Sequence, residues 1–318
     1  MPDRTCRNEF GLTNAADGVH RQEQKTAMAR EMRDTPMTPA STVTSPRWKA
    51  VVLGLTVTLV GLIAWDGAER RPADMTSPLP QSVTTKTLRQ APARLTLASF
   101  NIHSGKGTDG VRDLSRIAKL LEGVDFAGLY EVRAQSDARQ PNQAAALVDT
   151  NEGGWVFAPT EQQWWSDQFG NGLIHRIPVN SVLRIPLVNT RGKAYRNAIL
   201  ANIKLQATDV RVIAVHIDRE KDRRQQLQAV IDLFQSLQPP CILMGDLNTT
   251  ADDPLLVHLR ESPGVHSPLH DSIPDTLPSQ GIDWIFTRGL KTISAALINN
   301  SASDHPLLRA ELEPTDAP

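Results

Sequence analysis

The stretch CILMGDLN, residues 241–248, decides how the rest of the chain is read. Four mostly apolar residues, Cys241, Ile242, Leu243 and Met244, predict a buried strand. Gly245 then permits a tight turn or a close backbone approach. Asp246 and Asn248 stand two residues apart, and extended backbone puts such a pair on one face. A carboxylate and an amide at the exit of a core strand suit activation of water beside a phosphate. Gly-Asp also marks ordinary turns, so the stretch takes its weight from other strand ends with matching chemistry.

Those ends are spread along the chain. Residues 95–101, LTLASFN, alternate and end in Asn101, with His103 just beyond. The apolar run 126–130 leads into Glu131, and the run 210–216 ends in His216, followed by Asp218. A late strand, 282–286, carries Asp283, and the loop 299–305 supplies Asp304 and His305. Each Asn or Asp alone also fits a turn or a helix cap, and Asp218 reads first as the cap of the helix after it. Together they supply what phosphoester hydrolysis needs. Carboxylates hold a hard cation, histidines move protons, and amides orient phosphate oxygens.

The intervening sequence gives the scaffold. Helical spacing of apolar residues predicts helices over 111–121, 143–149, 227–237 and 254–261. Residues 173–177 and 181–188 read as paired strands joined around 178–180, and 198–206 with 210–216 as a second pair. Residues 307–312 are expected as the last strand. Strands dominate, with helices interspersed. The expected class is α+β, a four-layer α/β/β/α sandwich of two packed, mostly antiparallel sheets with outer helices. The segment HSGKG, 103–107, lacks the spacing of a phosphate loop.

Composition narrows the classes. The chain has 318 residues and a formal net charge of -1. Residues 1–93 hold 12 Lys/Arg against 9 Asp/Glu, and residues 94–318 hold 22 against 26, a net of -4. The main domain is therefore not a basic nucleic-acid platform as a whole. With two cysteines, Cys6 in the polar tail and Cys241 in the core strand, a disulfide framework is excluded.

Residues 1–47 read as a flexible polar tail. Residues 48–65, WKAVVLGLTVTLVGLIAW, contain an uncharged run of 16 residues, about 24 Å of helix. Trp48 and Trp65 bracket it as interface anchors would, and a single-pass signal anchor is expected. The flanking basic residues place the C-terminal part outside the cytoplasm. Residues 66–93, rich in Pro, Ser and Thr, read as a linker, and 94–318 as the catalytic domain.

In order, the blocks SFNIH, YEV, VHID, GDLN, IDWIF and SDHP resemble the endonuclease/exonuclease/phosphatase superfamily from about Leu95 to Leu312. The resemblance implies Mg²⁺-dependent hydrolysis, with Mn²⁺ as a substitute, by in-line attack of water. It implies a metal side at Glu131, Asn101 and Asp304. It also implies His305 beside the scissile phosphate with Asp283 as its carboxylate partner, Asp246 on the attacking water, and Asn248 and His216 on phosphate oxygens. Tyr130 departs from the pattern, standing where a glutamine commonly precedes the metal glutamate. His175 replaces a small polar residue. The second glutamate of secreted deoxyribonucleases has no counterpart.

The expected partner is a phosphodiester, in nucleic acid or phospholipid, with the membrane engaged through 48–65 and no obligatory protein partner evident. A membrane-anchored nuclease is the leading expectation. A phospholipid phosphodiesterase or phosphatase is the alternative, and a silent binding domain is the reading from another class. Trp164 and Trp165 are candidates for base stacking, lipid contact or loop packing. His258, His266 and His270 lack a zinc ligand pattern.

Overall fold

The computed structural model describes residues 46–84, 90–134, 142–148, 153–162, 168–187, 195–272 and 281–315. Trp164 and Trp165 lie outside these residues. The chain divides into two units, Met1–Gly61 and Leu62–Pro318.

Helix α1, Pro46–Ala68, has 23 residues and spans about 34 Å. It outruns the uncharged stretch because Arg47, Lys49 and Asp66 stay helical at its ends. Its 20-residue segment Arg47–Asp66 is long and apolar enough to cross a membrane, with a mean hydropathy of 1.8. Leu53, Leu55, Leu62 and Trp65 are exposed.

Two short strands follow, β1 (Arg71–Pro72) and β2 (Gln81–Thr84), within the stretch read as a linker. Both pair antiparallel with β5 (Gly153–Gln162). Between them Ala73 is buried and its N–H donates to the Thr160 carbonyl at 3.0 Å. Arg184 Nη2 donates to the Asp74 and Ser77 carbonyls at 2.8 and 2.9 Å. Pro-rich sequence makes no regular structure of its own, but here borrowed hydrogen bonds hold it as a strap.

The first sheet also contains β3 (Leu95–Asn101), β4 (Phe126–Ala134), β6 (Gln168–His175), β13 (Leu290–Ile298) and β14 (Leu307–Pro314). Its order is β1-β5-β6-β4-β3-β14-β13, with β2 beside β5. The second sheet has the order β11-β12-β10-β9-β8-β7. Its strands are β7 (Val179–Pro186), β8 (Asn197–Leu205), β9 (Thr208–His216), β10 (Cys241–Asp246), β11 (Val265–His266) and β12 (Asp283–Arg288). Pairing is antiparallel except between β3 and β4 and between β9 and β10.

Period-two alternation builds the layers. In β10, Ile242 and Met244 enter the core between the sheets, while Cys241 and Leu243 face the outer layer. There they meet Leu227, Val230, Ile231 and Phe234 of α4 (Arg223–Ser236) and Leu256 and Leu259 of α5 (Pro254–Glu261). In β3, Leu95 and Leu97 turn inward, and Ala98 and Phe100 pack outward on Ile117 of α2 (Leu114–Leu120) and Ala144 of α3 (Gln143–Leu147). The expected four-layer α+β sandwich is thus present. Three helix starts are sequence-coded: Asp113, Asn142 and Asp253 accept from backbone N–H groups of the first turn, each worth about 1 kcal/mol. A last helix, α6 (Pro268–Ser272), adds Leu269 to the inter-sheet core.

One expectation is corrected. Residues 173–177 and 181–188 do not form a hairpin: β6 pairs with β4 and β5, and β7 pairs with β8. The chain crosses between sheets at 176–178. Local alternation predicts strands but carries no record of which strand lies opposite. The second expected pair, β8 with β9, does form.

Candidate active site

Strand register assembles the polar residues. Asp246, at the end of β10, stands opposite His216 of β9 on one side and Asp283 of β12 on the other. A Cβ added at Gly245 would lie 2.1 Å from the Val215 carbonyl oxygen, so this position serves close strand approach inside β10. In the other sheet β3 and β4 run parallel, with Asn101 opposite Tyr130 and Glu131 next along. Asn101 bridges the sheets: its Nδ2 donates to Asp246 Oδ2 at 2.9 Å and to Glu131 Oε1 at 3.3 Å. Its Oδ1 accepts from the His103 N–H at 3.0 Å, leaving one lone pair.

Strained backbone concentrates around this cleft. His103, Ser104, Glu131 and Asn248 have φ of 45°, 55°, 58° and 43°. Left-handed backbone costs a side-chain-bearing residue roughly 1–2 kcal/mol, and such strain clusters where surroundings over-determine it. Glu131 sits where β4 breaks register with β6, between Leu129 and Val132. That irregularity aims its carboxylate into the cleft. Asn248 is held by its N–H on Asp246 Oδ1 at 3.0 Å and its Nδ2 on the Ile217 carbonyl at 3.0 Å.

His305 Nδ1 lies 2.7 Å from Asp283 Oδ2, while its Nε2 faces Asn101 Nδ2 at 3.5 Å and Asp246 Oδ2 at 3.8 Å. Burial alone would lower the His305 pKa. The hydrogen bond and charge of Asp283, joined by Asp246 and Asp304, outweigh it and push the ring up to about 9. Burial, then the Asp283 charge, pushes the Asp246 carboxyl up to about 7. Asp283 is raised by burial in the same direction. His216 Nε2 is 3.4 Å from Asp246 Oδ2, and burial, with Arg196 and His305 nearby, holds its ring well below the usual range. The imidazole is therefore neutral near pH 7. Tyr130 packs edge-on against it at 6.5 Å and shares a 3.1 Å hydrogen bond with Ser99.

The donor set suits a hard divalent cation. Asp246, Asp283 and His305 offer ligand atoms within 4.8 Å of one another. Asp283 and His305 of that cluster are also joined by their 2.7 Å hydrogen bond. Asp246 and Asp283, the buried carboxylates with raised pKa values, are what a cation relieves, and both bind through oxygen.

All eight sequence-chosen residues gather here, and six of them line a cleft of about 650 Å³; Asn101 and Asp283 brace it from behind. Asp218 also lines it, and its Oδ2 accepts from the Asp222 N–H at 3.0 Å, supporting the start of α4. His103 sits at the rim, its Nδ1 3.3 Å from Asp304 Oδ1. His175 does not join the site: its Nδ1 meets the Ile177 carbonyl at 2.8 Å, and burial lowers its pKa.

Several residues escaped the sequence reading. Ser303 Oγ donates to the Asn101 carbonyl at 2.7 Å and accepts from the His305 N–H at 3.2 Å, locking the loop to β3. Its place directly before Asp304 and His305 was the available signal. Arg70, Arg133, Glu161 and Phe169 line the same cleft with Arg196, and no local pattern marks the first four.

Residues 98–305 match the profile of the Endonuclease/Exonuclease/phosphatase family. No curated protein matches. Among solved structures, an endonuclease/exonuclease/phosphatase from Beutenbergia cavernae is 22% identical with a TM-score of 0.59, covering 71% of this chain and 73% of that one. A family protein from Leptotrichia buccalis is 17% identical at a TM-score of 0.56, covering 69% and 99%. The human Nocturnin catalytic domain with bound sulfate is 18% identical at 0.52, covering 77% and 99%.

Proposed function

We infer, from the premise that this chain belongs to the endonuclease/exonuclease/phosphatase family, that it is a membrane-anchored nuclease. The family's metal-dependent phosphoester chemistry is the general activity, and a divalent cation is its cofactor; Mg²⁺, with Mn²⁺ as substitute, is our assignment. The observation that carries the reading is the convergence of His305, Asp283, Asp246, Asn101 and Glu131 from both sheets.

Glu131, Asn101 and Asp304 would hold the cation. Bound there, it would polarise a phosphoryl oxygen and offset the developing charge. Asp246 takes the proton of the attacking water. Its raised pKa places it close to neutral pH, where a general base works best. His305 presents a protonated Nε2 toward the phosphate, and Asp283 fixes that orientation through Nδ1. Asn248 and neutral His216 donate hydrogen bonds to non-bridging oxygens. A catalytically silent binding domain has no need of this full set.

Residues 94–318 are proposed as the catalytic domain, 48–65 as the anchor, 1–47 as a tail and 66–93 as the connection. The C-terminal part is placed outside the cytoplasm. The nuclease choice draws on Phe169 and the arginines beside it, since cations with aromatic faces suit single-stranded nucleic acid. A second reading, phospholipid hydrolysis, draws on Arg70: it lines the cleft two residues after α1 ends. The test is product release by full-length protein with Mg²⁺ on single-stranded DNA, duplex DNA, RNA, sphingomyelin and phosphoinositides, with His305→Ala as control. Cleavage of nucleic acid alone supports the first reading, and turnover of lipid alone replaces it with the second.

A further inference from the structure

The cleft carries groups of both charges. Beside the carboxylates it is lined by Arg70, Arg133 and Arg196, with Glu161 among them. That acid satisfies Arg70 and Arg196 poorly. Glu161 Oε2 is 3.6 Å from Arg70 Nε, and Oε1 is 4.0 Å from Arg196 Nη1, both beyond good hydrogen-bond length. The Arg196 side chain is only 12% exposed, yet its Nε has no hydrogen-bond partner among the described residues. A buried charged donor left unmade is costly, and the chemistry that would satisfy it is an anion with several acceptor oxygens.

The arginines are also held in place. The Arg133 and Arg196 guanidiniums sit 5.5 and 5.7 Å from the centre of the Phe169 ring. Arg133 Nε donates to Ser104 Oγ at 2.9 Å. Side chains fixed this way have already lost the rotamer freedom that binding would otherwise cost. Arg133 follows Glu131 by two residues, and both line the cleft from β4.

We propose that Arg133 and Arg196, mounted on Phe169 with Arg70 at the rim, form a second phosphate subsite. It takes the phosphate next to the scissile one on a nucleotide strand. Guanidinium forks match phosphate oxygens two at a time, and Glu161 keeps the arginines in place between substrates. The assignment rests on the nuclease reading for its substrate, but the anion site stands on its own geometry.

The test separates the two. Full-length protein in EDTA is titrated with inorganic phosphate and its melting temperature followed. A saturable stabilisation that falls in the arginine variants reports the arginine subsite. Arg133→Gln and Arg196→Lys should weaken phosphate binding at least about tenfold, the size expected for a charge-assisted pair. Arg70→Gln, at a side chain 65% exposed, cannot unfold the domain and should weaken binding a few-fold. With Mg²⁺, a 5′-phosphorylated dinucleotide should exceed its unphosphorylated counterpart in kcat/KM by about tenfold, and Arg133→Gln should collapse that ratio. Equal phosphate binding by wild type and both buried-arginine variants would overturn the site. A wild-type ratio near one would overturn its role in substrate choice. Phosphate binding lost in the variants, with no nucleotide hydrolysed by any form, leaves the anion site standing and removes the nuclease reading.

Discussion

The acidic wall of the cleft and its arginine wall are made in different ways. The acidic wall uses the ends of central strands, where a short apolar run delivers one or two polar residues to a common level. Asp246, His216 and Asp283 are direct neighbours in register. The arginine wall draws on scattered places: the strap at Arg70, the far part of β4 at Arg133, β6 at Phe169 and the residue before β8 at Arg196. One wall is tied by short hydrogen bonds, such as the 2.7 Å contact of His305 with Asp283, and the other by ring stacking and long ion pairs. The difference suggests a division of labour, with chemistry on the rigid wall and substrate choice on the looser one.

The sharpest way to break that division is His305→Ala. Removing a positioned proton donor should lower kcat by about 10²–10⁴-fold. KM should change far less than kcat, as steady-state hydrolysis would record, while the melting temperature should fall because buried Asp283 loses its partner. A loss seen mainly in KM would mean that the acidic wall binds rather than reacts.

Next comes the metal. EDTA should abolish hydrolysis, and Mg²⁺ or Mn²⁺ should restore it. Glu131→Gln should raise the metal concentration needed for half-activity by at least about tenfold, on the scale of lost metal-site contacts. An unshifted metal titration would move the cation toward the Asp246–Asp283–His305 cluster.

A smaller effect lies in stability against pH. Asp246 and His305 both have raised folded pKa values, about 7 and about 9, so the native state binds more protons than the unfolded chain. Stability then falls as pH rises. The Asp246 contribution is complete below its ordinary carboxylate range and is lost through pH 7; that of His305 is complete below its ordinary imidazole range and is lost through pH 9. His216 and His175, whose pKa values are lowered, act in the opposite direction up to the ordinary imidazole range, so the metal-free protein should melt progressively lower from about pH 7 to pH 9, and Asp246→Asn should flatten the first part of that decline. A melting temperature that rises over this range would contradict the burial of these groups.

The smallest effect concerns the strap. Arg184→Ala removes two hydrogen bonds to the Asp74 and Ser77 carbonyls. The expected cost is about 1–3 kcal/mol of local stability, read as faster hydrogen exchange at the Ala73 N–H, with kcat unaltered. Unchanged exchange would show that strand pairing with β5 holds the strap alone.

The acidic wall was legible in sequence because its residues sit within a few positions of apolar runs, and strand ends on one sheet edge converge by geometry. Asn101, Glu131, His216, Asp246 and His305 could each be picked from a run and its terminus. Four helices, α2 to α5, were legible in the sequence. The crossing from β6 to β7 was not legible, because alternation describes one strand and not its neighbour. The strap was hidden for the same reason: its hydrogen bonds belong to β5 and Arg184. Phe169 and Arg133 looked like ordinary strand residues, since nothing local says that one ring will carry two guanidiniums.

By itself, then, the chain's sequence left β5 and β13 undetected but determined the central apolar strands, four helices to within a few residues, and which polar groups stand at strand ends. Those are short-range consequences of side-chain period, capping and backbone freedom. Only the tertiary structure decided that Asn101 reaches across to Asp246, that Glu131 turns inward at a break in register, and that arginines from three segments line one cleft with Phe169 and Glu161. Such contacts join residues up to 204 positions apart, and their pairing is set by how two sheets pack, which no local stretch encodes.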